Sequence, residues 1–383
     1  MIKKSRLISI FLELAQIPGL SRKEKKIARR VAQKLRQLGA KVKFDRALAR
    51  RGEVGNLIAY FPGTSNQPPL LLNAHLDTVG PVGEFSYRRE GNYLKSQGRS
   101  ILGADDRAGV AVILEVLEHL KESKKPHPPL EVVFTVAEEI GLVGAKELDY
   151  SLIQAKCGIV LDSDHPCQLV IGAPEAYRLI FKIHGKSAHA GVSPEKGINA
   201  IQIASRAISR LKLGRIDPET TANIGIIKGG TATNIIPDYV EVRGEVRSHN
   251  RNKLKRQIEK IRGAFYKAVE EAKRPGKEFA HLPRLEEEIL FDYPLMRLSE
   301  ESFLIQLFKK AGEKLGEKII TKIGSGGSDA NIFNQHGIET LIMGCGMEQV
   351  HTVQEQLNLD WFYLSARLLA KVIELYSSEQ ENG

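Results

Sequence analysis

The chain has 383 residues, of which 42% are hydrophobic and 27% charged, with 56 basic and 46 acidic side chains and a net charge of +10. That length exceeds one ordinary core and predicts two domains of a globular protein, while the lack of any apolar run near ~18 residues argues against a membrane span. The charge does not imply a nucleic-acid partner: the basic residues of 22–30, 121–125 and 251–262 alternate with Glu and apolar residues at helical spacing, and the aromatics, 6% of the chain, are not interleaved with them.

Met1–Leu14 has a basic start and an apolar stretch Leu7–Leu12, but Glu13 follows at once and no small-residue cleavage site appears. The segment therefore reads as a first amphipathic helix, not a signal peptide, and the protein as cytoplasmic. From Ser5 to about Gly172 helical and strand patterns alternate, as in an α/β layer. The run Leu70–Leu72 leads into Asn73–Gly80, where His75 and Asp77 are two apart and so leave a strand on the same side. Leu102–Asp106 precedes a helical stretch, Arg107–Leu120. Leu130–Val136, rich in β-branched residues, runs into Glu138 and Glu139, and Gly158–Leu161 ends at Asp162.

The character then changes. A strand pattern over Ala176–His184, a helix over Asn199–Leu211, strands over Ala222–Ile227 and Tyr239–Val246, a charged helix over Asn252–Lys273 and a strand over Leu285–Leu290 give a β-α-β-β-α-β order. That order predicts a ferredoxin-like α+β domain. After Pro294 the α/β pattern returns, with helices near Glu300–Leu315 and Leu357–Tyr376 and a strand Thr340–Met343 followed by His351. The expected organisation is a discontinuous α/β domain, 1–172 and 294–383, with a mixed sheet between helices, and an inserted domain, 173–293. Cys157, Cys167 and Cys345 are odd in number and form no CxxC pair, so they read as small buried residues and not as a disulfide framework.

This reading places His75, Asp105, Glu139, Asp162 and His351 beyond the ends of five short strands, at the sheet edge where α/β proteins build their sites. Adjacent carboxylates at such an edge, Asp105-Asp106 and Glu138-Glu139, repel unless a cation compensates. A pair of metal ions ~3.5–4 Å apart needs a bridging carboxylate and further imidazole and carboxylate ligands, with a neighbouring carboxylate free to take a proton from water. Five ligands and one base is what the sequence offers. Imidazole and oxygen donors without thiolate suit zinc, and also admit cobalt or manganese.

The segments Asn73–Gly80, Leu102–Gly109, Ala137–Gly144, Leu161–Asp162 and Gly346–Glu355 resemble the motifs of the di-zinc exopeptidase superfamily that includes aminopeptidase T, carboxypeptidase G and succinyl-diaminopimelate desuccinylase. The chain looks nearest to the peptidase T-like, tripeptidase branch. The resemblance implies one zinc on His75, Asp105 and Asp162, and another on Asp105, Glu139 and His351. It also implies Asp77 as the residue that orients His75, Glu138 as general base, and a cis peptide bond at Asp105-Asp106. Asp at position 162 fits the aminopeptidase branch, since carboxypeptidase and desuccinylase relatives commonly carry Glu there.

The run His184–Gly191 resembles the family's lid, which implies that His189 polarises the scissile carbonyl and that the inserted domain pairs two subunits. Asn234 and Arg247 resemble lid residues that contact substrate, although Ser248 and His249 follow Arg247 where the family usually has Asp and an apolar residue. Gly324–Asp329 lacks the Lys and spacing of a phosphate loop and reads as a wall of the substrate site. The expectation is a homodimeric metallopeptidase that hydrolyses short peptides, most simply tripeptides, by metal-activated water, with neither nucleic acid nor membrane as partner. The alternatives are a carboxypeptidase or N-acyl amino acid deacylase of the same superfamily, or a non-catalytic metal- or peptide-binding protein, which would be expected to lack a base at position 138.

Overall fold

Four apolar runs become the centre of one sheet. In the computed structural model, which describes residues 1–47, 51–81, 83–276 and 279–378, Leu70–His75 pairs in parallel with Leu130–Thr135 on one side and Cys157–Ser163 on the other. Glu339–Gly344 joins in parallel beyond Cys157–Ser163. Every residue of Leu70–His75 and Leu130–Thr135 is buried, which is why these strands read as continuous apolar runs and not as alternating ones. Because the four run the same way, their carboxyl ends open at one edge.

Five further strands, all paired antiparallel except Ile320–Ile323, complete this sheet of nine. Its order is Lys41–Phe44, Leu57–Phe61, Leu130–Thr135, Leu70–His75, Cys157–Ser163, Glu339–Gly344, Gln168–Ala173 and Met296–Arg297, with Ile320–Ile323 also on Gln168–Ala173. The helix Ala104–Ser123 is buried without a break from Ala104 to Leu117 and packs against the sheet and the helices Lys4–Ala15 and Leu359–Ser378; a helix covered on every side belongs in a core, and its run Val110–Leu114 is apolar accordingly. Lys25–Leu38 is different. It buries Ile27, Ala28, Val31, Ala32, Leu35 and Leu38 and turns Lys25, Lys26, Arg29 and Arg36 outward, so its basic residues form a solvated face.

This mixed α/β fold occupies Met1–Ala173 with Met296–Gly383, one compact unit; Pro174–Leu295 forms the second. In the second unit the strands Gly214–Asp217, Thr220–Gly229, Tyr239–Ser248, Glu175–His184 and Arg284–Tyr293 lie in that order in an antiparallel sheet. The helices Ala200–Ser209 and Arg251–Glu271 supply its own core, in which Phe181 stacks on Phe265 with ring centroids 4.1 Å apart. The edge strand Gly214–Asp217 adds to the β-α-β-β-α-β order read from the sequence. Among the described residues no helix is long and apolar enough to cross a membrane.

Two of the five expected strand ends are something else. Asp105 follows no strand but stands at the start of the helix Ala104–Ser123, where it and Asp106 depart from helical dihedrals. His351 lies in the loop between the short strands Met347–Glu348 and Gln356–Asn358. A sheet edge gathers loops from helices and hairpins as well as strands, and the short apolar run before Asp105 carried no signal to tell these apart.

Candidate metal centre

His75 ends its strand with a side chain 3% exposed, facing the start of the helix at Asp105. Its Nε2 lies 3.0 Å from Asp105 Oδ1. The other oxygen of that carboxylate, Oδ2, lies 3.0 Å from Nε2 of His351, which is also 3.0 Å from Glu139 Oε1. Two imidazoles therefore face the two oxygens of one carboxylate. Asp162 completes the cluster: ligand atoms of His75, Asp105 and Glu139, and separately of His75, Asp106 and Asp162, fall within 4.8 Å of one another. The peptide bond Asp105-Asp106 is cis.

A second layer of charged side chains fixes the backbone behind these groups. His75 Nδ1 lies 3.0 Å from the carbonyl oxygen of Asp77 and 3.5 Å from its Oδ1. The Asp77 carboxylate accepts from the amides of Glu138 at 2.9 Å and Glu139 at 3.2 Å and from the Ser21 hydroxyl at 2.7 Å. Asp106 accepts from the amides of His75 at 3.1 Å and Gly109 at 3.0 Å. Arg107, wholly buried, donates to the carbonyl oxygens of Leu76 and Ile17, and Thr135 donates its hydroxyl to Asp329. Sequence reasoning did not single out Ser21, Arg107, Asp329 or Glu355, and it noted Asp106 only as the neighbour of a ligand.

The electrostatics show what such a cluster lacks. Burial, with the charges of Asp162 and Asp329 and of Glu139 adding to it, pushes the Glu138 carboxyl well above its ordinary range despite His75. Burial and Asp105 do the same to Asp162. Asp329 rises to about 6, chiefly through burial. Burial alone would raise Asp105 too, yet the bonds from His351 and His75 hold it below the usual carboxylate range. Those bonds raise the imidazoles in turn: His75 despite its burial, and His351, bonded to Asp105 and Glu139, to about 10. Arg107 lies close enough to act on Asp77 and Asp106, but the facing carboxylates of Asp105 and Glu139 meet the imidazoles of His75 and His351, and imidazole and carboxylate oxygen together are a donor set that suits divalent cations. The residues fit a pair of metal ions.

Beside the cluster opens a cavity of about 520 Å³, lined by Asp105, Asp162, Asp164, Lys322, the 324–328 loop and Glu348. The loop read from sequence as a wall thus lines it. Ser328 caps the helix Asp329–Gln335.

The chain resembles known proteins over nearly its whole length. Residues 56–166 match the family model described as peptidase family M28, and residues 176–273 match the peptidase dimerisation domain. An uncharacterised Bacillus subtilis protein, YqjE, is 40% identical over 98% of this chain and 99% of its own. The crystal structure of aminopeptidase PepT from Bacillus cereus superposes with a TM-score of 0.84 at 38% identity, over 98% of this chain and 100% of that one. A Staphylococcus aureus tripeptidase gives 0.88 at 36%, over 99% and 100%. The chain belongs to the peptidase T-like family of metallopeptidases.

In this peptidase T-like chain the inserted unit carries the other residues expected at the site. His189 is exposed, and its Nδ1 accepts from the amides of Gly191 and Val192 at 3.2 Å each. A ring nitrogen that accepts carries no proton, so Nε2 is the protonated one and stands ready to donate. Asn234 is the neighbour of His189: Ala190 donates to its carbonyl oxygen at 2.9 Å, and His189 bridges to Ile235. Arg247 is not brought to them. It lies eight residues beyond Tyr239 on the strand Tyr239–Ser248, roughly 26 Å along a strand rising about 3.3 Å per residue, and its Nη2 donates to Glu245 at 2.9 Å.

Proposed function

We propose that this peptidase is an aminopeptidase acting on tripeptides with two zinc ions. His75, Asp105 and Asp162 hold one, and Asp105, Glu139 and His351 hold the other. The observation that carries the reading is the Asp105 carboxylate, whose two oxygens each face a different imidazole at 3.0 Å. Held by these residues, a pair of divalent ions would supply Lewis acidity and lower the pKa of a bound water. Glu138, beside the ligand Glu139, takes the proton from the attacking water and returns it to the leaving amine. Asp77 keeps His75 oriented. His189, donating through Nε2, stabilises the developing oxyanion with Asn234 beside it, while Arg247, set apart from them on its strand, would hold the rest of the substrate from the other subunit of the dimer.

In this reading residues 1–172 and 294–383 form the catalytic domain and 173–293 a lid that pairs two subunits of a cytoplasmic homodimer. Neither nucleic acid nor membrane is needed as a partner. The test is a panel of free tripeptides, dipeptides, amidated peptides and N-acylated amino acids, offered to chelator-stripped protein restored with zinc, cobalt or manganese. The expected result is metal-dependent release of the amino-terminal residue from tripeptides. Cleavage confined to N-acylated amino acids would make the chain a deacylase, and release from the carboxyl end would make it a carboxypeptidase.

A further inference from the structure

Glu355 is wholly buried, and its carboxylate is spent on a partner some 250 residues earlier in the chain. Oε2 accepts from the amide of Gly103 at 2.7 Å and Oε1 from the amide of Asp105 at 3.0 Å. These amides begin the helix Ala104–Ser123, whose N-cap, Gly103, has φ of +73° and no side chain to cap with. The first amides of a helix have no partner within it, and a carboxylate there is favoured by the helix dipole. Because Asp105 and Asp106 depart from helical dihedrals, these amides belong to the turn that leads into the regular helix, and Glu355, supplied from elsewhere in the chain, is what holds that turn.

The same residue ends the loop that presents His351. Met347–Glu348 pairs with Gln356–Asn358, Met347 opposite Leu357 and Glu348 opposite Gln356, and residues 349–355 hang between them. Within that loop Gln349 and His351 both have positive φ, 53° and 64°, a conformation that residues with side chains hold only under outside support. Thr352 donates to the Gln349 carbonyl at 2.7 Å, and Glu355 donates its amide to the Thr352 carbonyl at 3.1 Å. The loop is thus pinned at its far end by Glu355 to the backbone of Asp105, while near its tip His351 meets the side chain of that same Asp105 at 3.0 Å.

We infer that Glu355 is a positioning residue of the metal centre: by holding the Asp105 amide and the His351 loop together, it sets the separation of the two ligands that the second ion needs. The inference rests on the two-ion reading above. His75 does not depend on this link, since its strand, the Asp77 contacts and the bond from its amide to Asp106 hold it separately. Asp105 serves both ions in that reading but the His351 loop serves one, so loss of Glu355 should weaken the ion at Asp105, Glu139 and His351 more than the other.

The experiment titrates metal-free protein with Zn2+ by calorimetry and with Co2+ by visible absorption, for wild type, Glu355→Gln and Glu355→Asp, with melting of each metal-free protein as the control for folding. Gln keeps the size but sets an NH2 against one of the two amides, and Asp keeps the charge but falls short of spanning both. We expect wild type to bind two equivalents. In the variants the first equivalent should bind nearly as in wild type, while the second weakens ~10- to 100-fold, the usual effect of losing a group that orients a ligand, with an altered Co2+ spectrum for that equivalent only. If Glu355→Gln does not fold, Glu355→Asp is read in the same way. Both equivalents binding with wild-type affinity in a folded variant, or both weakening alike, would overturn the role. A wild-type protein that takes up fewer than two equivalents would overturn the two-ion reading and this inference with it.

Discussion

The carboxylate of Asp77 joins the amide of Glu138, at 2.9 Å, to the ring of His75, whose Nδ1 lies 3.5 Å from the same oxygen, Oδ1. The group that steadies a proposed metal ligand thus also fixes the backbone of the proposed base. Asp77→Asn would present an NH2 to one of the two amides, Glu138 or Glu139, that the carboxylate now accepts. Zinc affinity is expected to fall ~10- to 100-fold, with a drop in kcat that excess zinc does not fully restore. Wild-type kcat at saturating zinc would remove Asp77 from this role.

Glu138→Gln separates proton transfer from coordination. The residue is 8% exposed and takes no part in the contacts among His75, Asp105, Glu139 and His351. The variant should retain both zinc ions on metal analysis while kcat falls by ~10² to 10⁴, the usual effect of removing a general base. An empty metal site in the variant would make Glu138 a ligand.

The site was legible in the sequence where local pattern fixes geometry. His75 and Asp77 share a side of the chain because strand side chains alternate, and Glu138-Glu139 and Asp162 follow or end apolar strands. What was not legible depends on distant chain. Glu355 meets Gly103 and Asp105 across some 250 residues, Thr135 meets Asp329 across 194, and Ser21 meets Asp77 across 56. No periodicity in one sequence encodes such pairings. The strand Gly214–Asp217 was missed because four exposed or half-exposed residues at a sheet edge carry no apolar alternation, and nothing in the sequence pattern indicated that Asn234 precedes the strand Tyr239–Ser248 while Arg247 lies near its far end.

Glu24 should make stability depend on pH. It is wholly buried, and its Oε1 accepts from the amides of Arg22 and Ala137 at 2.7 and 3.0 Å. Its Oε2 has no partner among the described residues. Burial, and then the charge of Asp77, raises its pKa to about 7 from an ordinary value of 4.5. The folded state then holds this proton more tightly than the unfolded state, so the contribution to stability is complete below pH 4.5 and is lost as pH rises through 7. Asp329, raised to about 6, adds the same sign over a lower window. The melting temperature of metal-free protein is expected to fall between about pH 5 and 8, and Glu24→Gln to flatten that fall. Identical slopes for the two proteins would contradict it.

Gly109 tests the packing behind the ligands. A glycine within a helix ordinarily costs ~1 kcal/mol relative to alanine, so Gly109→Ala would be expected to stabilise. A Cβ here would instead meet the Asp106 carboxylate and the carbonyl oxygen of Leu161. Such overpacking costs ~1–3 kcal/mol, which outweighs the helix gain and leaves a net loss of up to ~2 kcal/mol in denaturant unfolding of the metal-free protein. Because Asp106 also accepts from the His75 amide, zinc affinity should fall as well. A variant as stable as wild type would mean that Asp106 can move without consequence.

The last prediction concerns the far end of the substrate, which an enzyme selective for tripeptides must grip as well as aligning the scissile bond. A terminal carboxylate is best held by the two-pronged fork of an arginine. Arg247 is partly buried, its Nη2 is shared with Glu245 at 2.9 Å, and its Nε has no partner among the described residues. An ion pair as accessible as this one contributes little, so it offers a weak rival to an incoming carboxylate. A tripeptide with a free carboxyl terminus should therefore be cleaved faster than its amide, and Arg247→Lys should lose most of that preference because the fork is gone. Zinc content and cleavage of the amide should change little, since the base and the proposed ligands lie outside the inserted unit. Equal cleavage of acid and amide by the wild-type enzyme would remove Arg247 from substrate recognition and leave Asn234 and the 324–329 loop to define the length of peptide accepted.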